Sequence, residues 1–111
     1  MISQSKIEDK RSRILLAARR LFVNRGFHDA STAAIAKEAN VANGTLFHYF
    51  KTKGDLINAL YKDTKGSFFT ITTAGVDEEK TIKRKFRLLW HNTIKWAVNR
   101  PQDFLFIQQA F

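Results

Sequence analysis

The chain has 111 residues and a mass of 12.8 kDa, the size of one small domain or of a domain and a fraction, and too short for most multidomain enzymes. It is 44% hydrophobic and 26% charged with one Pro and five Gly, which excludes disordered, collagen-like and low-complexity classes, and the lack of Cys excludes disulfide scaffolds, zinc-thiolate fingers, iron–sulfur sites and thiol nucleophiles. Nineteen Lys and Arg against ten Asp and Glu leave +9 and a pI near 10.2, an excess that favours polyanion binding ahead of an anionic membrane surface or plain solubility. Met1 to Lys10 holds no apolar run of signal-peptide length, and nowhere does an apolar stretch approach the roughly 20 residues of a spanning helix. A soluble, cytoplasmic protein is expected.

The first periodic segment opens on Ser5-Lys6-Ile7-Glu8, a capping-box pattern. Ile7, Ile14, Ala18, Leu21 and Phe22 fall at helical spacing, Leu15 widens the stripe, and Arg11, Arg13, Arg19 and Arg20 lie mostly outside it. Gly26 stops it, so the first helix is predicted over Lys6 to Arg25. The second has Ser31 as N-cap and Ile35, Ala36 and Ala39 on one face, and it ends at Asn40. Asn40-Val41-Ala42-Asn43 reads as a turn, with Val41 plugging the angle between two helices. A third helix runs from about Gly44 to Phe50.

Thr52 is the predicted cap of a fourth helix, with Asp55 three residues on and Leu56, Ile57, Leu60, Tyr61, Thr64 and Phe68 on its inner side. Local propensity places Ser67 to Thr73 in a strand, yet Ile57, Tyr61, Thr64, Phe68 and Ile71 keep a helical period, so helix is predicted, fraying near Gly75. Asp77-Glu78-Glu79 is expected in the first turn of a fifth helix, whose buried stripe would be Ile82, Phe86, Leu89, Trp90, Thr93, Ile94, Ala97 and Val98. Arg100 closes it, and Pro101 opens a last apolar helix containing Phe104, Leu105, Phe106, Ile107, Ala110 and Phe111. With no cap at its end, that helix is expected to meet a partner surface in residues outside this chain or in another chain.

Two short helices joined by a tight turn match the helix-turn-helix unit, which lays its second helix in the DNA major groove. Leu46 and Phe50, four residues apart, must face the core. The opposite side carries Gly44, Thr45 and His48, with Phe47 and Tyr49 on the flanks and Asn43 at the tip. Gly44 lets backbone approach DNA closely, Thr45 suits phosphate, base or a thymine methyl, and Asn43 suits adenine N6 and N7. His48 and Tyr49 reach phosphate or base edges, and Phe47 offers apolar contact only. The starts of the third and fourth helices suit phosphate, with Lys53 at the first turn of the fourth.

Plainer roles stand beside these. Leu46, Phe50, Phe22 and Phe27 are core; Asn43 fits an N-cap as well as a base contact; Lys51 and Lys53 also fit a solvated surface. Lys83, Arg84, Lys85 and Arg87 beside Trp90 and Trp96 have the look of a membrane or calmodulin-type helix, but core or interface Trp with a solvated cationic face explains them better. His28, His48 and His91 lack metal-ligand spacing, and no carboxylate pair, Ser–His arrangement or phosphate-binding Gly loop is present. No enzyme, metal or resident cofactor is expected.

Ile14-Leu15-Leu16-Ala17-Ala18-Arg19-Arg20-Leu21-Phe22, Gly26-Phe27, Ser31-Thr32, Ile35-Ala36, Ala39-Asn40-Val41, Gly44-Thr45-Leu46-Phe47-His48-Tyr49-Phe50 and Lys51-Thr52-Lys53-Gly54-Asp55-Leu56 together resemble the N-terminal pattern of the tetracycline-repressor-like (TetR) transcriptional regulators. The resemblance covers about the first half of the chain and implies an all-α protein. Its helix-turn-helix head would span residues 1–52, with residues 53–111 forming a long linking helix and the first helices of a dimerising, ligand-binding body. It also implies DNA-contacting roles for Thr32, Asn43, Gly44, Thr45, Phe47, His48, Tyr49 and Lys53. Two positions depart from the pattern: Phe47 stands where Tyr is frequent, removing a hydroxyl contact to phosphate, and Asn40 stands where Gly is usual. Family members are longer, so the chain is expected to be a head with the first part of a body.

The function expected is a sequence-specific regulator, a repressor binding double-stranded DNA as a homodimer on a palindromic operator, with release by a small-molecule effector. The alternative is a helical protein–protein interaction module whose apolar tail, Phe104 to Phe111, docks a partner while the helix-turn-helix is only a scaffold.

Overall fold

The computed structural model describes residues 4–110, with side chains from Asp9 to Gln109. All regular structure among the described residues is helical: α1 (Gln4–Asp29), α2 (Thr32–Glu38), α3 (Asn43–Tyr49), α4 (Lys53–Thr72), α5 (Ile82–Asn99) and α6 (Pro101–Ala110). The chain divides into two compact units, residues 1–60 and 61–111, and α4 begins in the first and ends in the second.

The core of the first unit follows the predicted periodicities. Ile14, Ala18, Phe22, Ala30, Ile35, Leu46, Leu56 and Leu60 have no exposed surface, and Leu15, Leu21, Ala36, Ala39 and Phe50 are buried beside them. Gly26 sits at φ 85°, ψ 162°, outside the helical region. The straight part of α1 therefore stops where glycine predicts, and a last turn to Asp29 is joined on through Ala30 N–H donating to the Gly26 carbonyl at 3.2 Å. That kink brings Phe27 edge-on to Phe22 at 5.2 Å. The capping box predicted at Ser5 and Glu8 lies outside the described side chains.

Helix α2 starts as predicted, with Ser31 Oγ accepting from Ala34 N–H at 3.1 Å. It ends in a Schellman arrangement: Asn40 N–H donates to Lys37 O at 3.1 Å and Val41 N–H to Ala36 O at 3.0 Å, with Asn40 at φ 58°. Helix α1 braces this corner, since Arg13 Nε donates to Ala39 O at 3.2 Å and Arg20 pairs with Glu38.

The second unit has the predicted helices, with α4 helical as far as Thr72 and α6 opening at Pro101, but the start and the buried face of α5 differ from the prediction. Among its described residues Thr64, Thr72, Trp96, Asp103 and Phe106 are buried, with Trp96 edge-on to Phe68 at 4.8 Å and to Phe104 at 6.2 Å. Asp77 and Glu78 lie in a turn and Glu79 just after it, none of them in a helical first turn, and Thr81 caps α5 by accepting from Arg84 N–H at 3.1 Å. The expected stripe of α5 is also corrected, because Ile82, Phe86, Trp90, Ile94 and Val98 are exposed and the buried tryptophan is Trp96. Carbonyls at the end of α4 and in the following turn need donors. Asn92 Nδ2 supplies Thr72 O and Ala74 O at 3.0 Å each, and Lys85 Nζ supplies Val76 O at 3.3 Å and Asp77 O at 3.2 Å. These bonds turn the Lys85–Asn92–Trp96 side of α5 inward and leave the apolar flank outward.

Candidate nucleic-acid interface

Helix α3 is seven residues long, so its faces follow from two buried anchors, Leu46 within it and Phe50 as its C-cap. The Arg11 guanidinium lies 5.7 Å from the Phe50 ring centroid, holding that end against α1. With that side fixed inward, Asn43, Gly44, Phe47 and His48 are exposed and Thr45 and Tyr49 half-buried. His48 stands edge-on to Tyr49 at 5.6 Å, which limits the swing of both rings.

The N-cap of α3 is Ala42, with no side-chain hydrogen bond to the helix start. Asn43 is therefore the first helical residue and not the cap, and its amide stays on the exposed surface. Gly44 has negative φ, and a Cβ placed on it would meet nothing within 4 Å. Packing within the described protein does not require glycine here, and an exposed helical position normally gains when glycine gives way to a residue other than proline.

The remaining predicted contacts flank α3 in sequence. Thr32 is the first residue of α2 and half-buried. Thr52 caps α4 as expected, its Oγ1 accepting from Asp55 N–H at 3.0 Å. Lys53, the first residue of α4, is half-buried, and its Nζ donates to the His28 carbonyl at 3.3 Å. Sequence reasoning missed this bond of Lys53, which ties the start of α4 to the last turn of α1. It also missed Arg13 as the brace of the α2 corner. The signal for Arg13 was a cation on the α1 flank with an uncapped α2 carbonyl to satisfy.

Residues 14–60 match the model of bacterial regulatory proteins of the tetR family. Over this N-terminal portion the chain carries the sequence pattern of the tetR family. The fatty acid metabolism regulator protein of Bacillus subtilis is 35% identical over 80 residues, covering 72% of this chain and 41% of that one. The transcriptional regulator UidR of Escherichia coli K12 is 46% identical over 57 residues, 51% of this chain and 29% of UidR. The crystal structure of a tetR-family protein from Shewanella sp. PV-4 matches with a TM-score of 0.85 and 40% identity, over 89% of this chain and 53% of that one. The chain thus spans about half or less of the length of each of these three relatives. The two curated relatives are named as regulators and not as enzymes. No helix among the described residues is long and apolar enough to cross a membrane.

Proposed function

We propose that this chain is the DNA-binding part of a cytoplasmic transcriptional repressor of the tetR family, with α3 as the helix that enters the major groove. The observation that carries the reading is Gly44. A residue that weakens its own helix and fills no internal need sits among Asn43, Thr45, Phe47 and His48, where a closely approaching surface would use the space. Charge supports it. Residues 1–65 hold twelve Lys and Arg against six Asp and Glu, and residues 66–111 seven against four, so the larger excess lies with the helix-turn-helix.

In this reading phosphate neutralisation supplies most of the affinity, and Asn43, Thr45, Phe47 and His48 supply the choice of sequence, with Thr32, Tyr49 and Lys53 positioning. The whole protein acts as a homodimer on a palindromic operator and releases it on binding a small effector. The likeness to a protein named for fatty acid metabolism supports a metabolite-responsive regulator, and helix α4, continuous from one unit into the other, is the link through which such a signal passes. The test is binding to random duplex across a salt series. A regulator loses affinity steeply as salt rises, whereas absent or salt-independent binding by the folded chain points to the alternative, an interaction module in which the helix-turn-helix is only a scaffold.

A further inference from the structure

We infer that Phe47 reads the C5-methyl group of thymine, so that this chain selects its sites partly by an apolar contact. The inference rests on the DNA-binding reading above and gives one residue a named chemical target. On α3, Asn43, Thr45, His48 and Tyr49 all carry hydrogen-bonding atoms and Gly44 carries no side chain, whereas Phe47 presents a bare phenyl ring that is 43% exposed. Water gains nothing from such a ring, and neither does phosphate. Among the groups on base edges in the major groove, the thymine methyl is the apolar one.

Placement agrees with chemistry. Asn43 and Phe47 are four residues apart and share one edge of α3, so they address neighbouring base pairs. An amide suited to adenine N6 and N7 then lies next to a ring suited to a thymine methyl, which favours an A·T-containing step under that edge. Gly44, three residues before Phe47, leaves open space on the same side, so no intervening side chain screens the ring from a groove floor. Tyr at this position would add a hydroxyl that also bonds phosphate; Phe commits the position to apolar contact.

The experiment uses the full chain. Bound duplexes are selected from a random pool, and each thymine of the selected duplex is replaced singly by deoxyuridine, which removes the methyl and nothing else. At one or two thymines per half-site the replacement weakens binding about three- to tenfold. That sensitivity disappears in Phe47→Ala and persists in Phe47→Tyr, which retains the ring. A 5-methylcytosine–guanine pair at the same place binds better than its unmethylated counterpart, and the gain is again absent in Phe47→Ala. A uniformly flat deoxyuridine scan overturns the inference, as does unchanged thymine sensitivity in Phe47→Ala. Failure to enrich any duplex overturns the DNA-binding reading itself and is thereby told apart from failure of the Phe47 contact.

Discussion

Val41 N–H donates to the Ala36 carbonyl at 3.0 Å, and inside the loop this bond closes, Asn40 holds a left-handed backbone at φ 58°. This bond sets the angle between the two helices of the unit. A β-branched side chain at that φ costs about 1–2 kcal/mol. Asn40→Val is therefore expected to lower stability by that amount in urea unfolding followed by circular dichroism. Asn40→Gly should move it by less than about 0.5 kcal/mol, because relief of strain is offset by glycine's greater unfolded freedom. An unchanged urea midpoint for the valine variant would show that the turn tolerates another geometry.

Gly44 gives a prediction with two opposite signs. Gly44→Ala should stabilise the chain by up to about 1 kcal/mol, since alanine is the better helix former and meets open space. It should also weaken binding to selected duplex by about tenfold, through a methyl placed against the DNA. Stability and affinity rising together would remove Gly44 from the interface.

In the proposed reading, Asn43 and Lys53 separate base recognition from anchoring. Asn43→Ala is expected to change the base preference at particular positions of selected sites while leaving the salt slope alone. Lys53→Ala should weaken all sequences about equally and lower the salt slope by about 1. Because Lys53 Nζ also bonds the His28 carbonyl, the variant's circular dichroism must first match the parent's. Identical site preferences for Asn43→Ala and the parent would leave Asn43 without a reading role.

In the second unit, Asn92 spans two carbonyls that no helix ladder reaches. Asn92→Leu leaves Thr72 O and Ala74 O without that donor and should cost about 1–3 kcal/mol. Asn92→Asp should cost more, since it sets a carboxylate against two carbonyl oxygens. Hydrogen exchange of the α5 amides reads both effects, and undiminished protection would mean that water replaces the side chain at no cost.

Trp90 and Trp96 should report opposite environments. Trp90 is 61% exposed and Trp96 is 4% exposed, so Trp90→Phe is expected to remove the red-shifted, acrylamide-quenchable part of the emission. Trp96→Phe should remove the protected part. The reverse assignment would restore the stripe predicted from sequence.

Most of the first unit was legible because its determinants are local: a stripe on α1, caps at Ser31 and Thr52, and Leu46 and Phe50 four residues apart. Asn43 was ambiguous because cap and first helical residue differ by one position, and no side chain at Ala42 announced that the helix would start without a polar cap. The face of α5 was misread for a physical reason. Periodicity ranks residues by apolarity, but here Lys85 and Asn92 turn inward because carbonyls at the end of α4 and in the turn after it require donors, and that requirement is not written in the α5 segment. Lys53 was read for its charge, while its bond to His28 depends on how α1 ends.

Two of the glycines answer to different selections. Gly26, at φ 85° and ψ 162°, occupies a backbone region essentially closed to every other residue, so a library randomised there and sorted for folded protein should return glycine alone. Gly44, by contrast, should drift freely under that sort, alanine included, and become invariant only when survival depends on occupying an operator. If the proposed reading holds, the mutational tolerance of position 44 would record what the chain binds, and that of position 26 only that it folds.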